Sequence, residues 1–159
     1  MNRLWIIVCL SLLLPSPLIA WEADGVAVTD GDSITILYEN RRMDIELAGV
    51  DCPELDQPWG KQAQQLTSYL ILGKRILIWP IRRDEKERIV SFVFSEEINV
   101  NKALLRTGLA WHDRTTFDDS LLKALEMEAR IAEKGLWSDP NPIPPWEFRK
   151  QRSLPDSGS

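Results

Sequence analysis

The chain predicts an α+β protein, mainly β, in which five short strands close into a small barrel with helices set against it. Short segments of alternating polar and apolar residues recur between turn signals, as in Ser33-Ile-Thr-Ile-Leu-Tyr38 and Met43-Asp-Ile-Glu-Leu47. Helical periodicity follows only the third and fifth of these segments. An open α/β sheet would need a helix at most of its strand-to-strand links, and here one link is helical, so a closed barrel fits better. At 159 residues the chain is long enough for one domain with a real core.

In order, Glu22 to Thr29 reads as the first strand, with Val26 and Val28 as its apolar positions. Asp30-Gly31-Asp32 turns the chain into the second strand, Ser33 to Tyr38, and Glu39-Asn40-Arg41 turns it into the third. Alternation there puts Met43, Ile45 and Leu47 on one face and Asp44, Glu46 and Ala48 on the other. Pro53 cannot donate to a ladder, so the chain must leave the sheet there. Ala63, Leu66, Leu70 and Ile71 mark a helix over Gly60 to Leu72, ended by Gly73. Arg75 to Ile81 and Ile89 to Phe94 are the remaining strands. A second helix is expected over Val100 to Thr107 and a third over Asp118 to Lys134, with Leu121, Leu122, Leu125, Ala129 and Ala132 as its buried stripe. Prolines 140, 142, 144 and 145 are expected to exclude regular structure beyond Asp139, with Trp146 and Phe148 pinning that segment to the domain.

Residues 1–20 are a different material. Arg3, the apolar block Leu4 to Leu14 and the small residue Ala20 describe a secretory signal peptide cleaved after Ala20. Export to the periplasm or the medium is therefore expected, with no membrane span after cleavage, a domain over 21–150 and a disordered tail over 151–159. The mature chain would lose only Arg3 of 19 basic residues and keep all 24 acidic ones. Such a balance disfavours a general grip on polyanions and leaves DNA or RNA binding to a local patch. Cys52 is the one cysteine outside the leader, which excludes an internal disulfide, and reads as a half-buried packing residue. A monomer is expected.

The chemistry concentrates in Ala48-Gly-Val-Asp-Cys-Pro-Glu54, where an apolar strand ends in two carboxylates at the start of a loop. Asp32, in the preceding acidic turn, and Asp51 make a site for a hard cation, to which the Cys52 backbone carbonyl could add an oxygen. Glu54 could polarise a bound water, and Arg88 could meet a phosphate. Asp-Gly-Asp alone is also an ordinary hairpin turn.

The order of the segments along the chain is more specific. Asp30-Gly-Asp-Ser-Ile34, Leu47 to Glu54, Asp84 to Arg88, Val100 to Trp111, Glu128-Ala-Arg130, Gly135-Leu-Trp137 and Pro144-Pro-Trp-Glu-Phe-Arg149 together resemble the staphylococcal nuclease (thermonuclease-like) family over residues 24 to 149. The resemblance implies a five-stranded OB-type barrel with three α-helices and a calcium-dependent phosphodiesterase ancestry on DNA and RNA. It assigns Asp32, Asp51 and the Cys52 carbonyl to Ca2+, Glu54 to the general base, and Arg88 to one of two arginines flanking the phosphate.

The second arginine is replaced. The matching position, five residues before Asp51, holds Glu46. Losing one preorganised donor costs about 3–4 kcal/mol of transition-state stabilisation. A carboxylate some 5 Å from a phosphate adds roughly 3 kcal/mol of repulsion at an effective dielectric near 20. Arg42 is no substitute, standing four residues away along an extended strand, about 13 Å. Lys86 and Glu87 stand where the family has tyrosine and glycine, and Asp113 where it often has tyrosine. Lys86 reads as a solvated loop lysine and His112 as a surface or packing residue. Trp79, Trp111, Trp137 and Trp146 read as core and tail anchors rather than base-stacking platforms. These departures predict impaired or lost catalysis, the alternative being a non-catalytic barrel that binds calcium, a protein partner or nucleic acid.

Overall fold

Alternation in the first third of the chain folds into a meander of β1 (Trp21–Val28), β2 (Ser33–Tyr38) and β3 (Arg41–Leu47), each antiparallel to the next. The structure is a computed structural model and describes residues 19–153, so the expected leader lies almost wholly outside the described residues. Ile34, Ile36, Ile45 and Leu47 face inward and are buried, while Ser33 and Glu46, opposite each other in the β2–β3 register, face out. A two-residue strand, β4 (Val50–Asp51), then leads through the Pro53 loop into helix α1 (Gly60–Ile71). Strand β5 (Arg75–Arg83) returns antiparallel to β1, and β6 (Ile89–Ser95) runs antiparallel to β5.

The barrel closes where β6 lies parallel to β3, with Ile45 opposite Ile89, Glu46 opposite Val90 and Leu47 opposite Ser91. Closure removes two edges that would otherwise leave unpaired backbone groups. This is the expected five-stranded OB-type α+β barrel.

The two-residue strand β7 (Ile98–Asn99) enters helix α2 (Val100–Arg106), with the Asn99 side chain capping the N–H of Lys102. Asn101, fully buried on α2, fastens the closure. Its amide donates to the carbonyls of Ala48 (2.8 Å) and Ser91 (3.1 Å) and accepts from the Val93 N–H (3.0 Å). The short strand β8 (Trp111–His112) pairs with β4, setting Asp51 opposite Trp111. Helix α3 (Ser120–Ile131) follows, capped by the Asp119 carboxylate on the N–H groups of Leu121 and Leu122. Among the described residues no helix is long and apolar enough to cross a membrane.

The structure corrects the sequence reading in four places. Among the described residues there are four α-helices, not three, because Pro145 opens α4 (Pro145–Ser153). A proline at a first helical position lacks only an N–H that would be unpaired anyway, so it starts a helix instead of excluding one. This helix carries three residues past the expected domain end. Of the α3 stripe, Leu122, Leu125 and Ala129 are buried but Leu121 and Ala132 are exposed. Trp79 is 54% exposed on β5, tilted against Phe94, and anchors no core. Cys52 is buried rather than half-buried.

Candidate functional site

The two acidic turns meet because Gly31 lets them. A Cβ at this position would lie 2.5 Å from the Cβ of Cys52 and 2.7 Å from that of Ala63, so any side chain would push the turn off the β4 end and off α1. Thr67 of α1 holds the turn down by donating to the Gly31 carbonyl at 2.6 Å. Asp30 shapes it by accepting from the N–H of Asp32 (3.1 Å) and of Ser33 (2.7 Å). Asp32 is thereby buried, with Oδ2 accepting the Cys52 backbone N–H. Gly60 seats the next loop in the same way, since a Cβ there would sit 1.9 Å from the Glu54 carbonyl oxygen.

The result is a pocket of about 360 Å³ that brings together every site residue expected from the sequence: Asp32, Glu46, Asp51, Cys52, Glu54 and Arg88. Its interior is crowded with negative charge. Burial pushes the Asp32 carboxyl well above the usual range, and the neighbouring charges of Asp30, Glu46 and Asp51 push it further. Burial also raises Asp51 and Glu46, each opposed by an arginine. The Cys52 thiol is pushed well up by burial and then by Asp32, which makes it an inert packing group. His112 is buried too, with its Nε2 3.1 Å from the Phe117 carbonyl oxygen.

Glu46 brings a negative charge to a pocket that holds positive charges. It takes up the one at Arg88. Glu46 Oε2 accepts from Arg88 Nη1 at 2.6 Å and from the Ser33 hydroxyl at 3.2 Å. Asp84 accepts from Arg88 Nε at 2.8 Å. Burial works against the Arg88 charge, but these two carboxylates outweigh it and hold the guanidinium protonated. Lys86 lines the pocket from the same loop and is exposed.

The sequence reading missed Arg149 as a site residue. It sits on α4, and its Nη1 and Nη2 grip Asp51 Oδ1 and Oδ2 at 3.1 and 2.8 Å, while Nη1 also reaches Glu54 Oε1 at 2.9 Å. A chain of aromatic contacts delivers it. Trp111 on β8 meets Trp137 at 4.4 Å and Trp146 of α4 at 5.5 Å, both edge-on, and Arg130 stacks over Trp137 at 3.8 Å. Gln57 ties the segment before α4 to the site loop, donating to the Ile143 carbonyl and accepting from the Glu54 N–H. The signal was present in Pro144-Pro-Trp-Glu-Phe-Arg149, a basic residue three after an anchoring tryptophan, but nothing local said where the helix would dock.

Asp32 and Asp51 offer only oxygen donors and repel each other, a set suited to a hard divalent cation. Among the described residues no group of three or more His, Cys, Asp or Glu side chains is placed to hold a metal ion. Backbone carbonyls and water would have to fill the roughly six to eight positions that calcium takes.

Comparison with known proteins agrees with this geometry. The family described as "Staphylococcal nuclease homologue" matches residues 44–139, from the middle of β3 to just past the Trp137 anchor. An Escherichia coli protein called an uncharacterized endonuclease is 34% identical over 128 residues, covering 80% of this chain and 84% of its own. An Escherichia coli protein named ParB is 31% identical over 156 residues, 88% of this chain and 86% of its own. A probable staphylococcal-like nuclease of rice, Oryza sativa subsp. japonica, is 33% identical over 112 residues, 70% of this chain but 30% of its own. The matched family spans the barrel closure and the carboxylate loop alike, and the chain belongs to the staphylococcal nuclease family.

Proposed function

We propose that this protein is an exported, calcium-dependent phosphodiesterase of nucleic acid whose hydrolysis is slowed by Glu46. The observation that carries this reading is the convergence of Asp32, Asp51, Glu54 and Arg88 on one pocket. Asp32, Asp51 and the Cys52 carbonyl would hold the cation, which when bound would supply positive charge to the phosphoryl oxygens. Glu54 has Oε1 on Arg149, and among the described residues nothing donates to Oε2. That oxygen takes the proton from a water attacking phosphorus, as the bond from phosphorus to the departing sugar oxygen breaks. Arg88 donates to a phosphoryl oxygen as charge builds there.

Glu46 weakens this last step, because Arg88 must leave a 2.6 Å contact or share it. The same contact favours the competing reading, a barrel that binds calcium or a protein and does not cut. Cleavage of single-stranded DNA by the mature protein in calcium, stopped by chelation, supports the phosphodiesterase. Its absence across a pH and metal series at high protein concentration favours the binding module. Export rests on residues 1–20 and is tested by N-terminal sequencing of the protein recovered outside the cytoplasm.

A further inference from the structure

The two arginines of the pocket differ in which donors they have left. A guanidinium carries five N–H groups, and a phosphate is gripped best by two parallel donors on one edge. On Arg88 each edge has one donor taken, since Nε, on the side edge with Nη2, donates to Asp84 and Nη1, on the end edge with Nη2, donates to Glu46. Arg149 is used differently. Its end edge, Nη1 with Nη2, holds both oxygens of Asp51, and the remaining hydrogen of Nη1 goes to Glu54. Its Nε–H and the second Nη2–H lie together on the side edge, and among the described residues nothing accepts from either. Asp51 and Glu54 together raise the Arg149 pKa, so it stays charged, and they fix its plane. A carboxylate offers about four acceptor positions, so Asp51 can hold Arg149 and still ligate a cation.

Building on the phosphodiesterase reading, we propose that Arg149 is the forked phosphate contact of this site, replacing from the C-terminal helix the arginine that the barrel strand lacks at Glu46. The charge lost on β3 is restored from α4, on the side of the pocket where the cation ligand and the base stand. The substrate's phosphodiester then lies against the Nε–Nη2 edge of Arg149, with Arg88 as a weaker, shared partner.

The test measures binding of a fluorescent single-stranded oligonucleotide with phosphorothioate linkages, by anisotropy in saturating calcium, beside calcium titration and cleavage of ordinary DNA. Arg149→Gln is expected to weaken oligonucleotide binding roughly tenfold to hundredfold. Arg149→Lys is expected to fall between this variant and the parent, because an ammonium keeps the charge but not the fork. Arg88→Gln is expected to cost less than Arg149→Gln. Circular dichroism establishes that each variant is folded, and should Arg149→Gln loosen α4, the lysine variant still discriminates. Unchanged oligonucleotide binding with tighter calcium binding in Arg149→Gln, the behaviour of a mere counter-ion, overturns the proposal while leaving the phosphodiesterase reading intact. So does a loss confined to Arg88→Gln. A parent protein that neither binds nor cuts overturns both.

Discussion

Arg88 and Arg149 line one pocket, yet they are put there in opposite ways. Arg88 is held by its own loop, with Asp84 four residues away accepting from both its backbone N–H and its Nε. Its other partner, Glu46, arrives across the β3–β6 closure. Arg149 has no local partner in the site. It meets Asp51 from 98 residues away and Glu54 from 95, carried by a helix whose position depends on Trp146 against Trp111. The loop end of the pocket is thus locally bonded and self-neutralised, whereas the helix end is supplied by packing and keeps a donor edge open. A pocket at the end of this barrel can therefore draw positive charge from outside the sheet, provided another element already abuts it.

The largest effect expected on this contrast is at Glu54, the proposed base, which the helix end holds. Glu54→Gln should slow DNA cleavage about 10²- to 10⁴-fold in a steady-state assay, with oligonucleotide binding little changed. Next is Glu46→Arg, which frees Arg88 and adds a donor. It should raise the cleavage rate by up to about a thousandfold and make the protein less dependent on Arg149. In a double-mutant cycle Arg149→Gln should cost less on the Glu46→Arg background than on the parent, and strict additivity would show that the two ends of the pocket do not share one phosphate.

Trp146→Ala attacks the helix end alone. The aromatic pair is worth about 0.5–1.5 kcal/mol beyond its area, so thermal stability should fall modestly. Oligonucleotide binding should fall as far as it does in Arg149→Gln, which a barrel-borne site would not show.

The smallest effect is on pH. Asp32, Asp51 and Glu46 all have folded carboxyls raised above their unfolded values by burial. The folded state thus binds protons more tightly, and in chelator stability should decline as pH rises from about 4, the unfolded carboxylate range, through the raised folded values. Asp32→Asn should flatten that decline in a series of melting temperatures, and calcium should offset it in the parent but not in the variant.

Much of this was legible in the chain. The alternation of Met43 to Leu47 predicts that Ile45 and Leu47 enter the core and that Glu46 leaves it, and the burial pattern agrees. Pro53 and the Asp30-Gly-Asp turn locate the acids at strand ends, and the pocket holds them there. Trp79 departs from the expectation because β-propensity does not say which face of a strand is covered. The helix at Pro145 is hidden in the sequence because a proline run signals a break, while Pro145 occupies the position where a helix tolerates one.

By itself the sequence determined the strands, the turns and the identities of the acids, because periodicity and turn chemistry act between near neighbours. It also put Glu46 at the strand position where the family resemblance implies an arginine. Only the tertiary structure decided what Glu46 meets. Closure of β3 on β6 pairs Glu46 with Arg88, and edge-on tryptophan contacts hold α4 where Arg149 meets Asp51 and Glu54. Such contacts depend on distances in space between residues far apart in the chain, and sequence spacing carries no information about those distances until the core has packed.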